Sequence, residues 1–309
     1  MPELLTALFF RQLPGGVSAI EDQSLATGKR FFVHSGTGTN AAGKGRSPST
    51  PVATIGYAVG LCTANKGDRI YVMEGHNEGL GDAQMVVNVA GIHIIGLGWR
   101  ANAPRIDFDH ANASIDVTAA GCTIENLRLL PSVTIVTIGI DVNAGVTDTT
   151  LEDIEILPGE DGAGVDEFTI GIDVKAGCTR TKIVRPKIRQ HASAASCIAG
   201  VKLTGASDDV VIEDPNIVLL GAAAVAPING DTTLSTNLRI LRGILVSDDE
   251  PGIELLTGTA GVIDGTKIFS NLATIAAATV ADGMAHFGVK YVELGNESDA
   301  VVKTASIDD

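Results

Sequence analysis

The sequence repeats itself, and the repeat constrains the fold more than any other feature. Residues 115–121, 140–145 and 172–177 read almost alike, as IDVTAAG, IDVNAG and IDVKAG, and weaker copies lie at residues 201–203 and 253–255. Successive anchors are spaced by 25, 32, 29, 25 and 27 residues: Val117, Val142, Val174, Leu203, Ile228 and Leu255. A period of this size indicates a solenoid, in which each copy is one coil and the spacing varies with loop length.

A second pattern accompanies every copy. Pairs of apolar residues five positions apart recur as Ile124/Leu129, Leu151/Ile156, Ile183/Ile188, Ile212/Ile217, Ile240/Leu245 and Ile263/Ile268. A straight strand places side chains on one face at even spacings, so a spacing of five requires a bend. The bends read Asn126, Asp153, Arg185-Pro186, Asp214-Pro215, Arg242-Gly243 and Gly265. Because Asn, Asp, Pro and Gly favour bends, each coil is predicted to carry short strands on both sides of a corner.

Together the two patterns predict an all-β chain folded as a single-stranded parallel β-helix. Stacked coils about 4.8 Å apart would share one aliphatic core. The consensus of a leucine-rich repeat is missing, and a β-propeller blade would have a period of about 40–45 residues. We expect the β-helix to span residues 31–270, with an N-terminal arm at 1–30 and a C-terminal cap and tail at 271–309.

A short capping helix is predicted before the first repeats. Residues 54–64 place Ile55, Ala58, Val59 and Cys62 at helical spacing. The end coil of a solenoid has no neighbour to cover its core. An amphipathic helix at this position would supply the cover.

Three segments near the start resemble a known family. Residues 31–38 (FFVHSGTG), 45–55 (GRSPSTPVATI) and 67–72 (GDRIYV) are similar to the opening of pectate-lyase-like right-handed β-helix proteins. With the repeats, the resemblance covers residues of about 30 to 270, and it implies a right-handed β-helix. The superfamily contains lyases, hydrolases, tailspikes and structural parts of bacteriophage virions, so the resemblance is specific for the fold and not for one activity.

Composition limits the possible partners. The net charge of −15 argues against nucleic acid and anionic membranes, and the apolar run at residues 4–10 is too short to span a bilayer. Neither the six histidines nor the four cysteines (Cys62, Cys122, Cys178 and Cys197) have metal-ligand spacing, so no metal and no cofactor are predicted. We interpret the cysteines as reduced core residues. The repeats place Cys122, Val146 and Cys178 in one inward stack, with the two thiols roughly 9–10 Å apart and beyond disulfide reach.

An acidic column is the main candidate for chemistry. Asp116, Asp141, Asp173, Lys202 and Glu254 occupy one outward position of successive copies. Stacked carboxylates can bind Ca²⁺ or act as an acid/base pair. The simpler interpretation is a solvated face, partly neutralised by lysine. Loop acids at 107–109, 160–167, 208–209 and 248–250 are interpreted as turn residues, and one tryptophan argues against a long carbohydrate groove.

From the resemblance and the lack of an assignable catalytic set, we expect a non-enzymatic structural virion protein. The preferred hypothesis is a bacteriophage capsid decoration (cement) protein, made in the host cytoplasm and bound as a homotrimer to the major capsid protein on the capsid exterior. The residues expected to bind the partner are apolar ones of the arm: Leu4, Leu5, Leu8, Phe9 and Phe10. Two alternatives stay open. One is a short tailspike or polysaccharide lyase or hydrolase that uses acidic groove residues, and the other is a receptor-binding fibre module.

Overall fold

The computed structural model describes residues 28–158, 166–189, 197–221, 224–230, 234–247, 250–270, 279–280, 284–293 and 303–304. Over these ranges the strands form three sheets. Sheet A contains Arg30–Val33 (β1), Arg69–Val72 (β2), His93–Gly96 (β5), Thr123–Glu125 (β8), Thr150–Glu152 (β11), Lys182–Val184 (β14), Val211–Glu213 (β17), Leu238–Leu241 (β20), Gly261–Asp264 (β23) and Met284–Phe287 (β26).

Sheet B contains Asn77–Leu80 (β3), Arg105–Phe108 (β6), Arg128–Pro131 (β9), Glu155–Ile156 (β12), Lys187–Arg189 (β15), Asn216–Leu219 (β18), Ile244–Ser247 (β21), Lys267–Ser270 (β24), Lys290–Glu293 (β27) and Lys303–Thr304 (β28). Sheet C contains Met85–Val87 (β4), Ile115–Val117 (β7), Ile135–Val142 (β10), Glu167–Val174 (β13), Ala199–Leu203 (β16), Ala226–Gly230 (β19), Ile253–Leu255 (β22) and Thr279–Val280 (β25). All described pairings are parallel except that of β27 with β28. The chain visits the sheets in turn and so forms the right-handed parallel β-helix predicted from the sequence. Strands β25, β26 and β27 continue the stack beyond residue 270.

The core is a set of aliphatic columns that run through the coils. Each sheet contributes at least one buried column in which every residue pairs with the next: Ile115, Ile140, Ile172 and Val201 in sheet C; Ile124, Leu151, Ile183 and Ile212 in sheet A; Leu129, Ile156, Ile188 and Ile217 in sheet B. The last two columns contain the predicted pairs five positions apart. One coil alone would expose these side chains, so stacking makes the core.

The predicted corners are confirmed, and their backbone explains the spacing of five. Left-handed φ angles occur at successive corners between sheets A and B: Asn126 (56°), Asp153 (51°), Arg185 (50°), Asp214 (49°), Arg242 (59°) and Gly265 (64°). At each of these corners a left-handed residue turns the chain sharply from one sheet into the next, and at one corner Gly243 (80°) follows Arg242 in the same region. This conformation costs an ordinary L-residue about 1–2 kcal/mol, and Asn or Asp adopts it more readily than Arg.

The predicted capping helix is confirmed. It spans Ile55–Leu61 (α1), begins at an N-cap where the Thr54 hydroxyl accepts from the Tyr57 amide, and buries Ile55, Ala58 and Val59. It packs against β1, β2 and β4, where it covers the first strand of sheet C. No described helix has the length and apolar character needed to cross a membrane.

Two buried carboxylates attach this cap to the coils. Asp68, the aspartate of the GDRIYV segment, accepts hydrogen bonds from the backbone amides of Lys29 (2.6 Å) and Thr63 (2.7 Å). Glu78 accepts from the amide of Ile55, at the start of α1, at 2.9 Å. These bonds satisfy backbone donors that a helix end and a loop would otherwise leave unpaired.

The predicted stack of Cys122, Val146 and Cys178 is only partly correct. The register of β8 with β11 places Cys122 beside Thr149, and only Val146 lies beside Cys178. Seven residues separate β10 from β11, whereas five separate β7 from β8, and the longer turn shifts the alignment. The three predicted stack residues are buried, and both thiols are free, as predicted.

Candidate functional site

The acidic column keeps its predicted order in sheet C, but its predicted exposure is wrong. Asp116, Asp141 and Asp173 are register partners on adjacent strands, and Lys202 follows Asp173. We expected a solvated face, whereas Asp141 is 6% exposed and Asp173 is 2% exposed. Alternation within the strands correctly placed these side chains on the outer face. It did not predict that neighbouring side chains would fold over them.

Asp141 and Asp173 are each bound by the residue that directly follows the neighbouring strand of the next coil. The Lys175 ammonium forms an ion pair with Asp141, and the Thr204 hydroxyl donates to Asp173 at 2.5 Å. Asp116 is bound from its own coil: the hydroxyl of Ser114, the residue before β7, donates to its carboxylate at 2.5 Å. One oxygen of Asp141, Oδ1, is buried without a hydrogen-bond partner in the described part of the chain.

Burial governs the protonation of this column. Desolvation raises the pKa of Asp141 above its ordinary value, against the lowering effect of the Lys175 ammonium. Desolvation also raises the pKa of Asp173, against the hydrogen bond from Thr204. A carboxyl group with a raised pKa can carry a proton at a higher pH than usual, which is what a general acid requires. Among the described residues, no group of three His, Cys, Asp or Glu side chains is placed to hold a metal ion.

Ion pairs also join consecutive corners between sheets A and B. Arg185 forms a two-pronged bond to Asp153, at 2.8 Å from Nε to Oδ1 and 2.7 Å from Nη2 to Oδ2. Arg242 binds Asp214 in the same way, at 2.8 and 3.1 Å, and the guanidinium holds the pKa of that carboxyl below its usual range. Paired charges of opposite sign thus link two coils at a time.

We call such a series of ion pairs between successive coils a ladder. A second ladder lies on the other side of sheet A, where left-handed residues recur at Asp148, Arg180, Asp209 and Asn237. Arg180 binds both oxygens of Asp148 at 2.6 and 2.7 Å, and this hydrogen bonding lowers the pKa of Asp148 to about 2. Asp208 accepts from Thr236 and Asn237 of the next coil. The described acids at 208–209 are therefore turn residues, as predicted.

An open cleft of about 510 Å³ lies at the corner between sheets A and B. Its lining residues come from three coils and the loop before β6: Trp99, Arg100, Ala101, Ala103, Glu125, Asn126, Arg128, Asp153, Glu155 and Lys187. Trp99 stands at its edge with 76% of its surface exposed. Sequence reasoning missed this cleft, and the only local signal is a tryptophan between Gly98 and Arg100, just after a strand.

The loop that carries Trp99 is attached at several points. The Asn126 side chain donates to the carbonyls of Gly96 (2.8 Å) and Gly98 (3.1 Å). Asn102 donates to Glu74 at 2.7 Å, which holds the far end of the same loop. The indole is therefore exposed on a backbone that is anchored on both sides.

The predicted partner-binding residues, Leu4, Leu5, Leu8, Phe9 and Phe10, lie outside the described residues. The acidic pairs at 160–161 and 248–249 lie outside them as well. The contribution of the arm therefore stays a prediction.

Fold and surface together define a parallel β-helix whose coils are joined on the outside by ion pairs. No protein-family model and no curated protein matches the chain. Among solved structures it is similar to a GH136 lacto-N-biosidase from Eubacterium ramulus, at 11% identity and a TM-score of 0.36, over 84% of this chain and 68% of that one. It is also similar to a rhamnogalacturonan lyase, at 10% identity and a TM-score of 0.44, over 84% and 80% of the two chains. A third similar structure is ORF18 of Geobacillus virus E2, at 10% identity and a TM-score of 0.40, over 77% and 57%. Two enzymes and one viral protein are thus among the similar structures, and at these scores they assign no activity.

Proposed function

We propose that this chain is a non-enzymatic structural protein of a virus particle, of the bacteriophage capsid decoration type. One observation carries the proposal. Several carboxylates on the described outer surface bind partners on adjacent coils, as Asp141 binds Lys175 and as Asp153 binds Arg185. These groups hold the coils together, which is what a rigid bridging part needs.

The ladders favour a mechanical role through their arrangement more than through their individual strength. An exposed ion pair contributes only about 0.2–1 kcal/mol to stability. Here such pairs recur at matching corners and add side-chain bonds to the backbone bonds of the sheets. A solenoid joined in this way resists separation of its coils. Bound on the capsid exterior, it would bridge neighbouring subunits and add buried interface at each junction.

The proposed attachment uses the N-terminal arm. Burying each of its large apolar residues, Leu4, Leu5, Leu8, Phe9 and Phe10, stabilises a complex by roughly 1.5–3 kcal/mol. The end of the solenoid nearest the arm already carries α1. We therefore assign these residues to contacts with sister protomers in a homotrimer and with the major capsid protein.

Deleting residues 1–12 tests the proposal. The truncated protein should keep the circular dichroism of the full chain, since the repeats supply their own core, but should no longer sediment with capsids or as a trimer. The control is Ile244→Asp, which changes an exposed apolar residue on sheet B and should alter neither property. Unchanged capsid binding and assembly after the deletion would show that the arm is not the anchor.

A second candidate is a polysaccharide lyase or hydrolase, and it is favoured by the stacking of Asp141 and Asp173 on neighbouring strands, where burial raises the pKa of both carboxyls. Perturbed carboxyls in proximity are typical of catalytic sites. The test is release of new sugar ends from acidic and neutral polysaccharides by the wild type, Asp141→Asn and Asp173→Asn. Activity that both variants lose would support an enzyme and count against the structural role.

A further inference from the structure

The outer face of sheet A changes character between β5 and β8. In β8 and β11 the outward residues are threonines and glutamates. In the three strands before them, Phe32, Tyr71 and Ile95 are register partners on the outer face, and Glu125 takes the next position of the same column. Single apolar residues on a surface need no explanation, but contiguous ones mark a surface that another group covers.

Two further apolar side chains widen this column into a patch. Met73 directly follows β2 and Leu97 directly follows β5, and the amide of Leu97 donates to a carbonyl of β2 at 2.8 Å, so the pairing continues past the strand ends. Phe32, Met73 and Ile95 are half-buried, and Leu97 is 37% exposed. The rings of Phe32 and Tyr71 stack with their centroids 5.5 Å apart. We call these five residues the apolar patch: Phe32, Tyr71, Met73, Ile95 and Leu97.

The N-terminal arm joins the described chain beside the apolar patch. Gly28 packs against Gly67, where an added Cβ would lie 2.0 Å from the Gly67 carbonyl oxygen. The amide of Lys29 donates to the buried carboxylate of Asp68 at 2.6 Å. These contacts fix the point at which residues 1–27 meet β1, whose outer face belongs to the patch.

The arm contains an apolar segment that matches the patch. Residues 4–10 include five large apolar side chains, and residues 11–27 connect them to β1. These 17 connecting residues reach roughly 56–61 Å when extended. The ten strands of sheet A, about 4.8 Å apart, cover only roughly 43 Å. The apolar segment can therefore reach the same patch on a neighbouring protomer.

We propose that the apolar patch of each protomer receives residues 4–10 of a sister protomer. The proposal rests on the homotrimer of the proposed function and names the surface that the arm contacts there. In a ring of identical protomers each arm passes to the next protomer in the same direction, so every patch is filled and the assembly closes. Exchange of an identical segment between protomers is a low-cost route to such an assembly.

Photochemical cross-linking of the full-length protein identifies both the surface and the chain. Phe9 is replaced by the photoreactive residue benzoylphenylalanine. Isotopically labelled and unlabelled proteins are mixed in equal amounts and exchange protomers before irradiation. The arm should cross-link to peptides that contain Met73 or Leu97, and about half of the products should join a labelled peptide to an unlabelled one, as transfer to a sister protomer requires.

Sedimentation of point variants measures what the patch contributes. Leu97→Ser replaces an exposed apolar residue, so the protein should keep its circular dichroism while association of the protomers weakens about tenfold or more. Ile244→Ser is the matched control, because Ile244 on sheet B is also 37% exposed. It should leave association unchanged.

Three results would overturn the proposal. They are cross-links that lie outside the apolar patch, cross-links that join only peptides of the same label, and equal association of Leu97→Ser and Ile244→Ser. Deletion of residues 1–12 separates these failures from failure of the proposed function. If that deletion still abolishes capsid binding and trimer assembly, the arm is the anchor and only the surface assigned to it is wrong.

Discussion

The ion pair between Asp141 and Lys175 predicts an unequal response to the loss of each partner. The side chain of Asp141 is 9% exposed and that of Lys175 is 32% exposed. Lys175→Met leaves a buried carboxylate whose Oδ1 already lacks a described partner and whose Oδ2 loses its own. Asp141→Asn leaves the ammonium of Lys175 without its partner, but this partly exposed group can turn toward water.

The expected magnitudes follow from this difference. Removing one partner of a buried pair destabilises a protein by about 3–5 kcal/mol, and the exposure of Lys175 places Lys175→Met near about 3 kcal/mol at pH 7. Asp141→Asn should cost less than about 1 kcal/mol, because the charge that remains is not buried. The double variant should resemble Asp141→Asn, since it contains no unpaired buried charge.

The free energy of unfolding is measured by chemical denaturation at pH 7 and pH 5 for the wild type, the two single variants and the double variant. The folded pKa of Asp141 lies above its unfolded value, so this group favours folding at low pH and loses that contribution as the pH rises through the folded pKa. Lys175→Met should therefore regain stability on acidification, and Asp141→Asn should not. Equal losses in the two single variants, or a double variant as unstable as Lys175→Met, would refute the reasoning.

Three further predictions concern the core, a close approach of two neighbouring strands and the ion pairs between coils. Ile183→Asp places an unpaired carboxylate in a fully buried column and should cost more than about 3 kcal/mol in thermal melts, whereas a loss below about 1 kcal/mol would contradict the inward assignment. Gly171→Ala should cost about 1–3 kcal/mol, because the new Cβ would lie 2.6 Å from a carbonyl oxygen of the next coil; Gly81→Ala, where no atom lies within 4 Å, is the control and should be neutral. The lowered pKa of Asp148 means that its contribution to stability is present above the unfolded value of 3.8 and is lost as the pH falls toward about 2. Arg180→Ala should make Tm less dependent on pH in this range. An unchanged profile of Tm against pH would show that the Arg180–Asp148 pair adds nothing to stability.

Much of the fold was predictable because it depends on local patterns. The columns that contain Ile124, Leu129 and Ile183 follow from apolar residues at fixed spacing, and the corners follow from residues that tolerate a left-handed backbone. The helix Ile55–Leu61 follows from its periodicity and its Thr54 cap. Each signal lies within one coil and does not depend on how coils align.

The candidate sites were less predictable because they combine residues from different coils. The burial of Asp141 depends on Lys175, which lies 34 positions later in the chain and directly after the neighbouring strand β13. The error at Cys122 arose in a turn two residues longer than its counterpart, which shifts the register without changing either strand. The Trp99 cleft likewise joins a loop to corners of the following coils.

By itself, then, the sequence determined the coil, its corners, its inward columns and its capping helix, because these depend on side-chain alternation and backbone preference within some 30 residues. Only the tertiary structure decided which outer charges are buried, which coils an ion pair joins and where a tryptophan meets a polar cleft. The physical reason is that stacking brings residues from neighbouring coils within about 5 Å of each other. Those contacts depend on turn lengths and on long side chains that reach across coils, and neither leaves a periodic signal in the sequence.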